Sequence, residues 1–424
     1  MLDLDFITAN PEAVRRAIEV KGVDLDLDEL LRAYESLKAT LQEVEALRAE
    51  RNRLSKLTGS AASEERQRFI DQSRQIGVRL GELEPGLREK ERRLRELLLR
   101  VPNIPADDEP VGEGEEQNVE HHAWGERPEF SFRPRDHVEL VELNDWADLA
   151  RSGKIAGPRT YTLKGALVQI EMAIWQMAID LLRERGFSVI SVPSLVKEEA
   201  LIGTGHFPSA VEDVYRLEKD DLYLSGTSEV TLNYLHSGEI LSEADLPIAY
   251  AGFSLCFRRE AGAAGRDVRG LFRVHQFYKV EQYVMCAADR EESHRWFQRL
   301  LDNAETLVQA LELPYRVVRT CTGEMGAGKV RMWDIECWIP SQGRYRETHS
   351  VSELYDWQAR RADLRYRTAE GKVRHAFTLN NTAVATPRLL IPLLEVHQQE
   401  DGSVRIPEAL RPYVGGAETL GGAP

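Results

Sequence analysis

Two runs of apolar residues at coiled-coil spacing lie within the first hundred positions, and they constrain the fold more than any other feature. The first run comprises Leu30, Tyr34, Leu37, Leu41 and Val44, and the second comprises Ile76, Leu80, Leu83, Leu87, Leu94, Leu97 and Val101. Lys90 stands where the second run skips an apolar position. Spacings of three and four residues are typical of the seam between two packed helices. The sequence therefore predicts two long helices, over 28–57 and 64–100.

A turn of small residues at 58–63 separates the two runs, and Ser63 is the predicted N-cap of the second helix. Helices joined by so short a turn run antiparallel, as a hairpin. Pro85 and Gly86 interrupt the second run. Because a proline inside a helix removes a backbone hydrogen bond and costs about 3 kcal/mol, we predict a kink near Glu82 to Pro85.

The net charge of −15 argues against a polyanionic partner only if the charge is spread evenly. It is not: residues 26–100 hold 16 basic and 15 acidic side chains, which leaves −16 on the rest of the chain. The distal half of the hairpin, 48–79, has a balance of +4. Its basic residues are Arg48, Arg51, Arg53, Lys56, Arg66, Arg68, Arg74 and Arg79. Two interpretations fit, a solvated helix face and an electrostatic contact with a polyanion.

A proline-rich acidic linker follows Val101, so we predict an N-terminal domain over 1–110 and a second domain over 111–424. In the second domain strands and helices follow each other irregularly. The predicted strands are 188–192, 221–224, 271–284, 315–320, 331–338 and 374–378, and the predicted helices are 163–185, 290–311 and 385–397. This order favours an α+β domain, an antiparallel β-sheet flanked by helices, behind the α-helical coiled-coil hairpin.

The four cysteines lie far apart and form no C-x-x-C pair, which argues against a zinc site or a disulfide framework and indicates a reducing compartment. The N-terminus carries acidic residues where a secretory signal carries basic ones, and no run of 18 apolar residues occurs. We expect a cytoplasmic protein with no zinc and no membrane contact.

One segment imitates a nucleotide-binding motif. Gly323-Glu-Met-Gly-Ala-Gly-Lys329 has the spacing of a phosphate-binding P-loop. Val330 stands where that motif requires Ser or Thr, and the residues that follow alternate like a strand. We therefore interpret the segment as a loop before a strand.

A stronger signal lies in Cys256-Phe-Arg-Arg-Glu260, a glycine-rich loop over 261–270, and the strand-like stretch that ends at Glu281. Two strands that bracket a loop would place Arg258 and Glu260 opposite Phe277, Lys279 and Glu281. Downstream, 378–388 leads from a strand into a predicted helix that has Arg388 in its first turn.

These segments resemble the second and third motifs of class II aminoacyl-tRNA synthetases, an F-R-x-E strand-loop-strand and an arginine at a helix start. The closer resemblance is to seryl-tRNA synthetases of bacterial type, and it spans nearly the whole chain. The matching segments are the hairpin, Thr204-Gly-His-Phe-Pro208, Thr227-Ser-Glu229, Phe257-Arg-Arg-Glu260, Tyr345-Arg-Glu-Thr-His-Ser350, Gln358-Ala-Arg-Arg361 and Leu379-Asn-Asn-Thr382. The resemblance implies an ATP-dependent ligase that activates L-serine to seryl-adenylate and transfers it to the 3′ end of serine tRNA.

For ATP, the resemblance implies cationic groups and Mg²⁺ around the phosphates. Arg258 would bridge the serine carboxylate and the α-phosphate, Arg388 would hold the γ-phosphate, and Arg273 would lie near the pyrophosphate end. Phe277 would stack on adenine, and Glu260 would bind the adenine amino group. The other positions assigned to ATP are Arg259, Val274, Glu347, Thr348, His349 and Ser350, with Glu347 and Ser350 also in the Mg²⁺ shell.

A serine pocket needs partners for the substrate hydroxyl, because such a pocket rejects analogues without it by about 10⁴- to 10⁵-fold. The resemblance assigns serine to Thr227, Ser228, Glu229, Arg258, Glu281 and Thr382. Glu281 would accept from the α-amino group, and the hydroxyls of Thr227 and Thr382 would face the substrate. Arg258, Glu281 and Arg388 are the implied catalytic residues. No general base is required, because a carboxylate is already nucleophilic.

The resemblance also implies a homodimer with residues 189–193 at the interface, and a hairpin that reads a tRNA with a long variable arm through the eight basic residues above. Selenocysteine tRNA is a candidate second substrate. One alternative is a homologue that charges a carrier protein, a group that lacks the hairpin. Another is a silent paralogue that acts as a coiled-coil or RNA-binding scaffold, which would lose Arg258, Glu281 or Arg388. The chain keeps all of these features.

Overall fold

A computed structural model describes residues 1–60, 62–261 and 269–421 of the chain. The central part of the predicted glycine-rich loop, 262–268, lies outside the described residues. The chain divides into two compact units, a helical unit of residues 2–19 and 23–101 and a sheet unit of residues 1, 20–22 and 102 onward. In the structure, the boundary between the two units lies between residues 101 and 102. The sequence prediction placed the boundary between the domains after residue 110, at the end of the proline-rich linker.

The helical unit contains the predicted hairpin. Its helices are α1 (Leu4–Ala9), α2 (Pro11–Val20), α3 (Leu27–Ser60) and α4 (Ser63–Arg100). The buried seam residues are Leu30, Leu37, Thr40, Val44 and Leu54 of α3 and Leu80, Leu87, Leu94, Leu97 and Leu98 of α4. At about 1.5 Å per residue the two helices are roughly 50 to 57 Å long. The apolar spacing thus places a continuous apolar stripe of each helix against its partner.

Lys90 forms a polar layer in this seam. Its ammonium donates to the Thr40 hydroxyl at 2.7 Å and to the Ser36 carbonyl at 3.3 Å. Ion pairs between the helices flank the seam, Arg79 with Glu43 at 2.9 Å and Arg48 with Glu84 at 3.6 Å. A single polar layer of this kind fixes the register of two helices, because a slip would bury the lysine against leucines.

Two local predictions concern α4. The prediction that Ser63 is its N-cap is wrong: Ser63 is the first helical residue, and the cap position, Ala62, has no side chain able to accept a hydrogen bond. The helix continues through Pro85 from Ser63 to Arg100. The kink near Glu82 to Pro85 stays a prediction.

Over its described residues, the sheet unit combines eight α-helices with four sheets. The helices are α5 (His137–Leu143), α6 (Leu149–Ala156), α7 (Ala166–Glu184), α8 (Glu198–Thr204), α9 (Ser228–Tyr234), α10 (Arg290–Ala310), α11 (Trp357–Ala362) and α12 (Leu390–His397). The strands are β1 (Val119–Trp124), β2 (Ser188–Ser191), β3 (Leu195–Val196), β4 (Tyr215–Leu217), β5 (Leu222–Leu224), β6 (Ile240–Ser242), β7 (Ile248–Phe257), β8 (Gln276–Cys286), β9 (Tyr315–Arg319), β10 (Arg331–Ile339), β11 (Arg344–Tyr355), β12 (Arg365–Arg367), β13 (Val373–His375), β14 (Phe377–Thr386), β15 (Val404–Arg405) and β16 (Thr419–Leu420).

The main sheet has eight strands in the order β1-β9-β10-β11-β14-β8-β7-β2. Every pair is antiparallel except β2 with β7, which is parallel. One face carries the main core, in which α7 and α10 pack against the sheet through residues such as Ile174, Phe297 and Val280. The predicted α+β class is confirmed, with one parallel edge strand added to the antiparallel sheet.

Three predicted boundaries are wrong. Residues 271–275 form a loop before β8, although Leu271 and Phe272 are buried, because these two side chains pack against Ile339 and Ile391 and not in a ladder. The predicted strand 374–378 is split between β13 and β14. The predicted helix 385–397 begins only at Leu390, because β14 continues to Thr386.

Candidate active site

A cavity opens on the sheet face opposite α7 and α10. It is lined by Arg258, Glu260, Leu271, Phe272, Arg273, Val274, Phe277, Lys279, Glu347, Thr348, Thr382, Ala385, Thr386, Pro387 and Arg388. An adjoining cavity shares five of these residues and adds His206 and Gly226. Four cations therefore converge on one cavity of a chain that carries a net charge of −15.

Strand β8 supplies three of the lining or underlying side chains. Because side chains alternate along a strand, Phe277, Lys279 and Glu281 share one face and Val280 and Val284 point into the core. In the ladder with β7, Phe277 faces Cys256 and Glu281 faces Gly252, and the backbone N–H of Arg258 donates to His275. The prediction that Arg258 and Glu260 lie opposite Phe277, Lys279 and Glu281 is therefore wrong by two or more residues.

Arg258 nevertheless contacts Phe277, although the two residues are not opposite each other in the β7–β8 ladder. Its guanidinium carbon lies 5.2 Å from the centre of the Phe277 ring. A cation over an aromatic face is attracted by the ring quadrupole, so the contact holds the guanidinium at the mouth of the cavity.

Arg388 lies in the turn between β14 and α12, two residues before the helix, and not in its first turn as predicted. Its Nε donates to the Phe272 carbonyl at 3.2 Å, and its Nη1 donates to the Glu347 carbonyl at 3.4 Å. The Glu347 carboxylate lies 3.6 Å from the same Nη1. Backbone contacts fix the orientation of the guanidinium and leave its remaining N–H groups directed at the cavity.

Arg273 and Glu260 form an ion pair inside the cavity, with 3.1 Å between Nη1 and Oε2. Glu260 has a left-handed backbone, with φ of 53°, in the loop after β7 that also carries Arg258. A ligand that takes a hydrogen bond from Arg273 or gives one to Glu260 must share these groups with their present partners.

Glu281 is the most deeply buried of the assigned serine residues, with no exposed surface. Its Oε1 accepts from Asn380 at 3.0 Å, and its Oε2 lies 2.5 Å from the Lys279 ammonium. Burial raises the pKa of the Glu281 carboxyl, the nearby Lys279 opposes that shift, and the like charge of Glu229 adds to it. Lys279 also donates to the Thr227 hydroxyl at 3.3 Å.

Lys279 also lines the cavity, although no role was assigned to it from the sequence motif. The sequence signal that could have found it is its position two residues before Glu281, which puts both on one face of β8.

The other assigned serine residues differ in position. Thr382 lines the cavity. Glu229 lies behind it and accepts from Gln358 Nε2 at 2.8 Å, and Gln358 in turn accepts from the Thr378 hydroxyl at 2.9 Å. The Ser228 hydroxyl donates to the Gly252 carbonyl at 3.1 Å, so it supports α9 on the sheet and does not reach the cavity.

An acidic cluster lies where β10 and β11 pair beside the cavity. Asp334 faces Ser350 in the ladder, and burial together with Glu347 raises the pKa of the Asp334 carboxyl well above its usual value. Asp334 Oδ1 and Ser350 Oγ are both buried, and the Ser350 hydroxyl opposes the rise in the pKa of the Asp334 carboxyl. Asp334 was missed by the sequence analysis, since a lone aspartate in a strand gives no signal.

Three assigned ATP positions lie away from the cavity wall. His349 is buried, its Nδ1 contacts the Thr348 hydroxyl at 2.8 Å, and burial lowers its pKa to about 4, so its imidazole is neutral. Ser350 lies beside Asp334. Arg259 points outward, 3.7 Å from Glu212. Val274 and Thr348 line the cavity as assigned.

His206, from the Thr204–Pro208 segment, lines the adjoining cavity. Its Nδ1 lies 2.8 Å from the Thr204 hydroxyl, and burial lowers its pKa to about 3, with the charge of Arg258 as a further cause. A neutral imidazole therefore lines the adjoining cavity, near Arg258.

The segment with the spacing of a P-loop is a loop before a strand, as the sequence predicts. Residues 323–329 precede strand β10, which begins at Arg331. No helix N-terminus follows Lys329, so the dipole that a P-loop offers to phosphate is missing from this segment.

All eight basic residues of the distal half of the hairpin, here called the hairpin tip, are exposed. Three of them form ion pairs, Arg48 with Glu84, Arg53 with Glu50 at 2.7 Å, and Arg79 with Glu43. Within the part of the helical unit that the structure describes, the other five form no ion pair: Arg51, Lys56, Arg66, Arg68 and Arg74.

Two features are absent from the part of the chain that the structure describes. No helix in residues 1–60, 62–261 or 269–421 is both long and apolar enough to cross a membrane. Over the same ranges, no three His, Cys, Asp or Glu side chains cluster closely enough to hold a metal ion.

Comparison with known proteins first gives the class. Residues 211–397 match the model of the class II tRNA synthetase core domain that serves G, H, P, S and T. A prolyl-tRNA synthetase from Giardia lamblia, solved with prolyl-adenylate, is 18% identical with a TM-score of 0.58 over 65% of this chain and 55% of that one, and it shares the fold alone. The sheet unit is therefore a class II aminoacyl-tRNA synthetase core.

The particular family follows from the full length. Residues 1–105 match the seryl-tRNA synthetase N-terminal domain. The serine–tRNA ligase of Deinococcus radiodurans is 57% identical over 421 residues, covering 99% of each chain. The seryl-tRNA synthetase of Pyrococcus horikoshii, solved with ATP, has a TM-score of 0.92 and 39% identity and covers 100% of both chains. The chain belongs to the seryl-tRNA synthetase family.

Proposed function

We propose that the arginine-lined cavity is the site at which this chain joins serine to ATP. Its enzyme class follows from its family: the chain is an ATP-dependent aminoacyl-tRNA ligase, and serine, ATP and tRNA are its substrates. Serine carboxylate attacks the α-phosphorus of ATP, the bond to the β-phosphate oxygen breaks, and seryl-adenylate and pyrophosphate form. The 3′ ribose hydroxyl of serine tRNA then attacks the seryl carbonyl and releases AMP.

The observation that carries this proposal is the convergence of Arg258, Arg273 and Arg388 on one cavity with Phe277 on its wall. The first step brings two anions together, so the site must supply cations where charge concentrates. Arginine suits this task because its planar fork binds phosphate oxygens in pairs and keeps its charge.

The position of each arginine in the cavity indicates its proposed role. Arg258, beside Phe277, bridges the serine carboxylate and the α-phosphate while Phe277 stacks on adenine. Arg388, fixed by two backbone carbonyls, holds the γ-phosphate, and Arg273 lies toward the pyrophosphate. Glu260 accepts from the adenine amino group with the Oε1 that its pairing with Arg273 leaves available.

The residues around Glu347 fit Mg²⁺. The donors Glu347, Ser350 and Asp334 are all oxygens, the type that this hard cation takes, and Asp334 Oδ1 and Ser350 Oγ are buried at facing positions of the β10–β11 ladder. When bound, the ion would neutralise charge on the phosphates. Because no cluster of three acidic or imidazole ligands occurs in the described residues, phosphate oxygens and water would complete the shell.

Serine binds deeper, against Glu281, Thr227 and Thr382. Glu281 accepts from the α-amino group, and the two threonine hydroxyls face the substrate hydroxyl. Glu229 supports this pocket through Gln358 and does not need to touch the substrate.

The hairpin is the proposed tRNA-binding element, and a long variable arm is the feature it reads. The five exposed cations without ion pairs among the described residues are the first candidates for phosphate contacts, since the other three already have carboxylate partners.

We further propose a homodimer that works in the cytoplasm. Strand β2 is the edge of the main sheet, paired only with β7 in the described chain, and Val189 in it is exposed. Exposed Met172 lies on the neighbouring helix α7. An edge strand that shows apolar side chains is a natural surface for a second copy.

Serine-dependent exchange of pyrophosphate into ATP, measured beside charging of serine tRNA, tests the proposal. We expect both activities in the intact chain and at least a hundredfold loss of exchange in Arg258→Ala. Arg259→Ala is the matched control, because the neighbouring arginine points away from the cavity, and exchange should change less than threefold. Equal loss in the two variants would show that the cavity is not the site of activation.

A further inference from the structure

Lys279 has no role in the proposed chemistry, although it is among the most buried cations of the sheet unit. Its side chain is 9% exposed, and its ammonium contacts Glu281 at 2.5 Å and the Thr227 hydroxyl at 3.3 Å. A lysine is normally exposed, because burying an ammonium is costly unless an anion compensates it. Glu281 is the only carboxylate that forms an ion pair with it among the described residues.

The two contacts of Lys279 are the contacts assigned to the substrate. Glu281 is the proposed acceptor for the α-ammonium of serine, and Thr227 is a proposed neighbour of the same substrate. Two ammonium groups cannot share one buried carboxylate without strong repulsion. The contact between Glu281 Oε2 and the Lys279 ammonium, at 2.5 Å, opposes the cost of burying the Glu281 carboxylate.

We propose that Lys279 is a positioning residue that changes partners when serine binds: the α-ammonium of serine displaces the Lys279 ammonium from Glu281 and Thr227, and Lys279 then donates to the serine carboxylate. This inference rests on the proposed role of Glu281. The exchange conserves charge, since a lysine–glutamate pair and a zwitterion become an ammonium–glutamate pair and a lysine–carboxylate pair.

The position of Lys279 supports the second half of the exchange. It lines the same cavity as Arg258 and Thr382, so its ammonium can turn from Glu281 to the cavity by rotation about side-chain bonds. The carboxylate of serine is one carbon from its amino group and must lie on the Arg258 side to reach the α-phosphate. Lys279 would then share that carboxylate with Arg258 and hold it for attack.

The exchange also selects the class of ligand. A zwitterionic amino acid provides both an ammonium for Glu281 and a carboxylate for Lys279. An amino alcohol such as serinol keeps the amine and hydroxyl of serine but has no carboxylate, so it would displace Lys279 and give it no new partner. Serinol should therefore inhibit pyrophosphate exchange weakly in the wild type.

The test compares serine and serinol in the full chain and in three variants, Lys279→Met, Lys279→Arg and Glu281→Gln. In Lys279→Met, we expect kcat of exchange to fall at least tenfold. The ratio of the serinol inhibition constant to the serine KM should fall at least fivefold, because neither ligand then has to displace a lysine but only serine loses a contact, the one between Lys279 and its carboxylate. This ratio does not depend on the ionisation of Glu281, since both ligands use that contact equally.

Lys279→Arg keeps the positive charge. It therefore distinguishes a lysine that changes partners from a lysine that acts only as a fixed counter-ion of Glu281. A guanidinium is bulkier and planar and binds a carboxylate through two parallel bonds, so it should leave Glu281 less readily, and we expect kcat at least tenfold below the wild type. Wild-type kcat and KM in Lys279→Arg, or an unchanged serinol-to-serine ratio in Lys279→Met, would overturn the exchange. The arginine variant decides the matter if the methionine variant does not fold.

Glu281→Gln tests the underlying role separately. A parallel rise of the serine KM and the serinol inhibition constant supports Glu281 as the amine acceptor. No change in either would remove the proposed function of Glu281, whatever the Lys279 variants show, and would remove the exchange with it.

Discussion

Replacing Glu281 by glutamine tests the serine pocket with the least change of shape. The variant keeps an oxygen that can accept from Asn380 at 3.0 Å and removes the charge that faces Lys279 at 2.5 Å. A hydrogen bond to a charged group contributes about 1.5 to 3 kcal/mol. Since about 1.4 kcal/mol is a factor of ten, the KM for serine should rise roughly ten- to 150-fold, with the KM for ATP changed less than threefold.

The same variant also affects stability, and this must be separated from binding. Breaking a buried ion pair by removing one partner costs about 3 to 5 kcal/mol, so Glu281→Gln should lower the melting temperature. Glu353→Gln is the matched control. Glu353 is another buried carboxylate of the main sheet, it accepts from Ser293 at 2.6 Å, and it lies outside the cavity lining.

Steady-state pyrophosphate exchange over a range of serine concentrations, with melting curves for each protein, gives both quantities. The control should lose stability with its serine KM within threefold of the wild type. A folded Glu281→Gln enzyme with a serine KM within twofold of the wild type would refute the assignment of Glu281.

Three further outcomes follow from the geometry. Arg388→Ala should raise the ATP KM at least tenfold and leave the serine KM within threefold; the reverse pattern in exchange assays would contradict the phosphate role. Charge reversal at the five tip cations without ion pairs should raise the tRNA KM at least tenfold and weaken its salt dependence, with serine-dependent exchange unchanged. Loss of exchange in that variant would show that the effect is not confined to tRNA. His206 is neutral when folded, with its pKa lowered to about 3 by burial, so the unfolded chain binds the extra proton between that pH and about 6.5. Stability should therefore fall as the pH falls through this window, and His206→Asn should flatten the decline in acid-unfolding curves; an equally steep decline would contradict the assigned neutral state.

The hairpin could be predicted from the sequence because its fold depends on the spacing of residues that are close together in the chain. A heptad seam requires only that apolar residues recur at a fixed spacing, and the structure places both helices within three residues of the predicted ends. The errors are at the ends themselves. Ser63 has the composition of a cap but lies one residue inside the helix, where a side chain cannot perform that role.

The site could be predicted less completely, because its geometry depends on strands distant in sequence. Arg258 reaches Phe277 from the loop beyond β7, although the two are not ladder partners. Lys279 is buried only because Thr227 and Glu281 surround it with acceptors. The two-residue spacing places Lys279 on the same face of β8 as Glu281, but the burial of that face depends on Thr227, which is distant in sequence.

Gly252 shows how the fold builds the serine pocket without a side chain. It faces Glu281 across the β7–β8 ladder, and a Cβ there would lie 2.8 Å from the Ser228 hydroxyl oxygen and 2.7 Å from Leu232 Cδ1. Both neighbours belong to α9, so the absent side chain lets that helix rest directly on the sheet. Its N-cap, Thr227, is thereby brought within 3.3 Å of the Lys279 ammonium. A side chain at position 252 would push Ser228 and Leu232 away from the sheet, so we expect the proposed serine pocket to depend on this glycine as well as on its polar side chains.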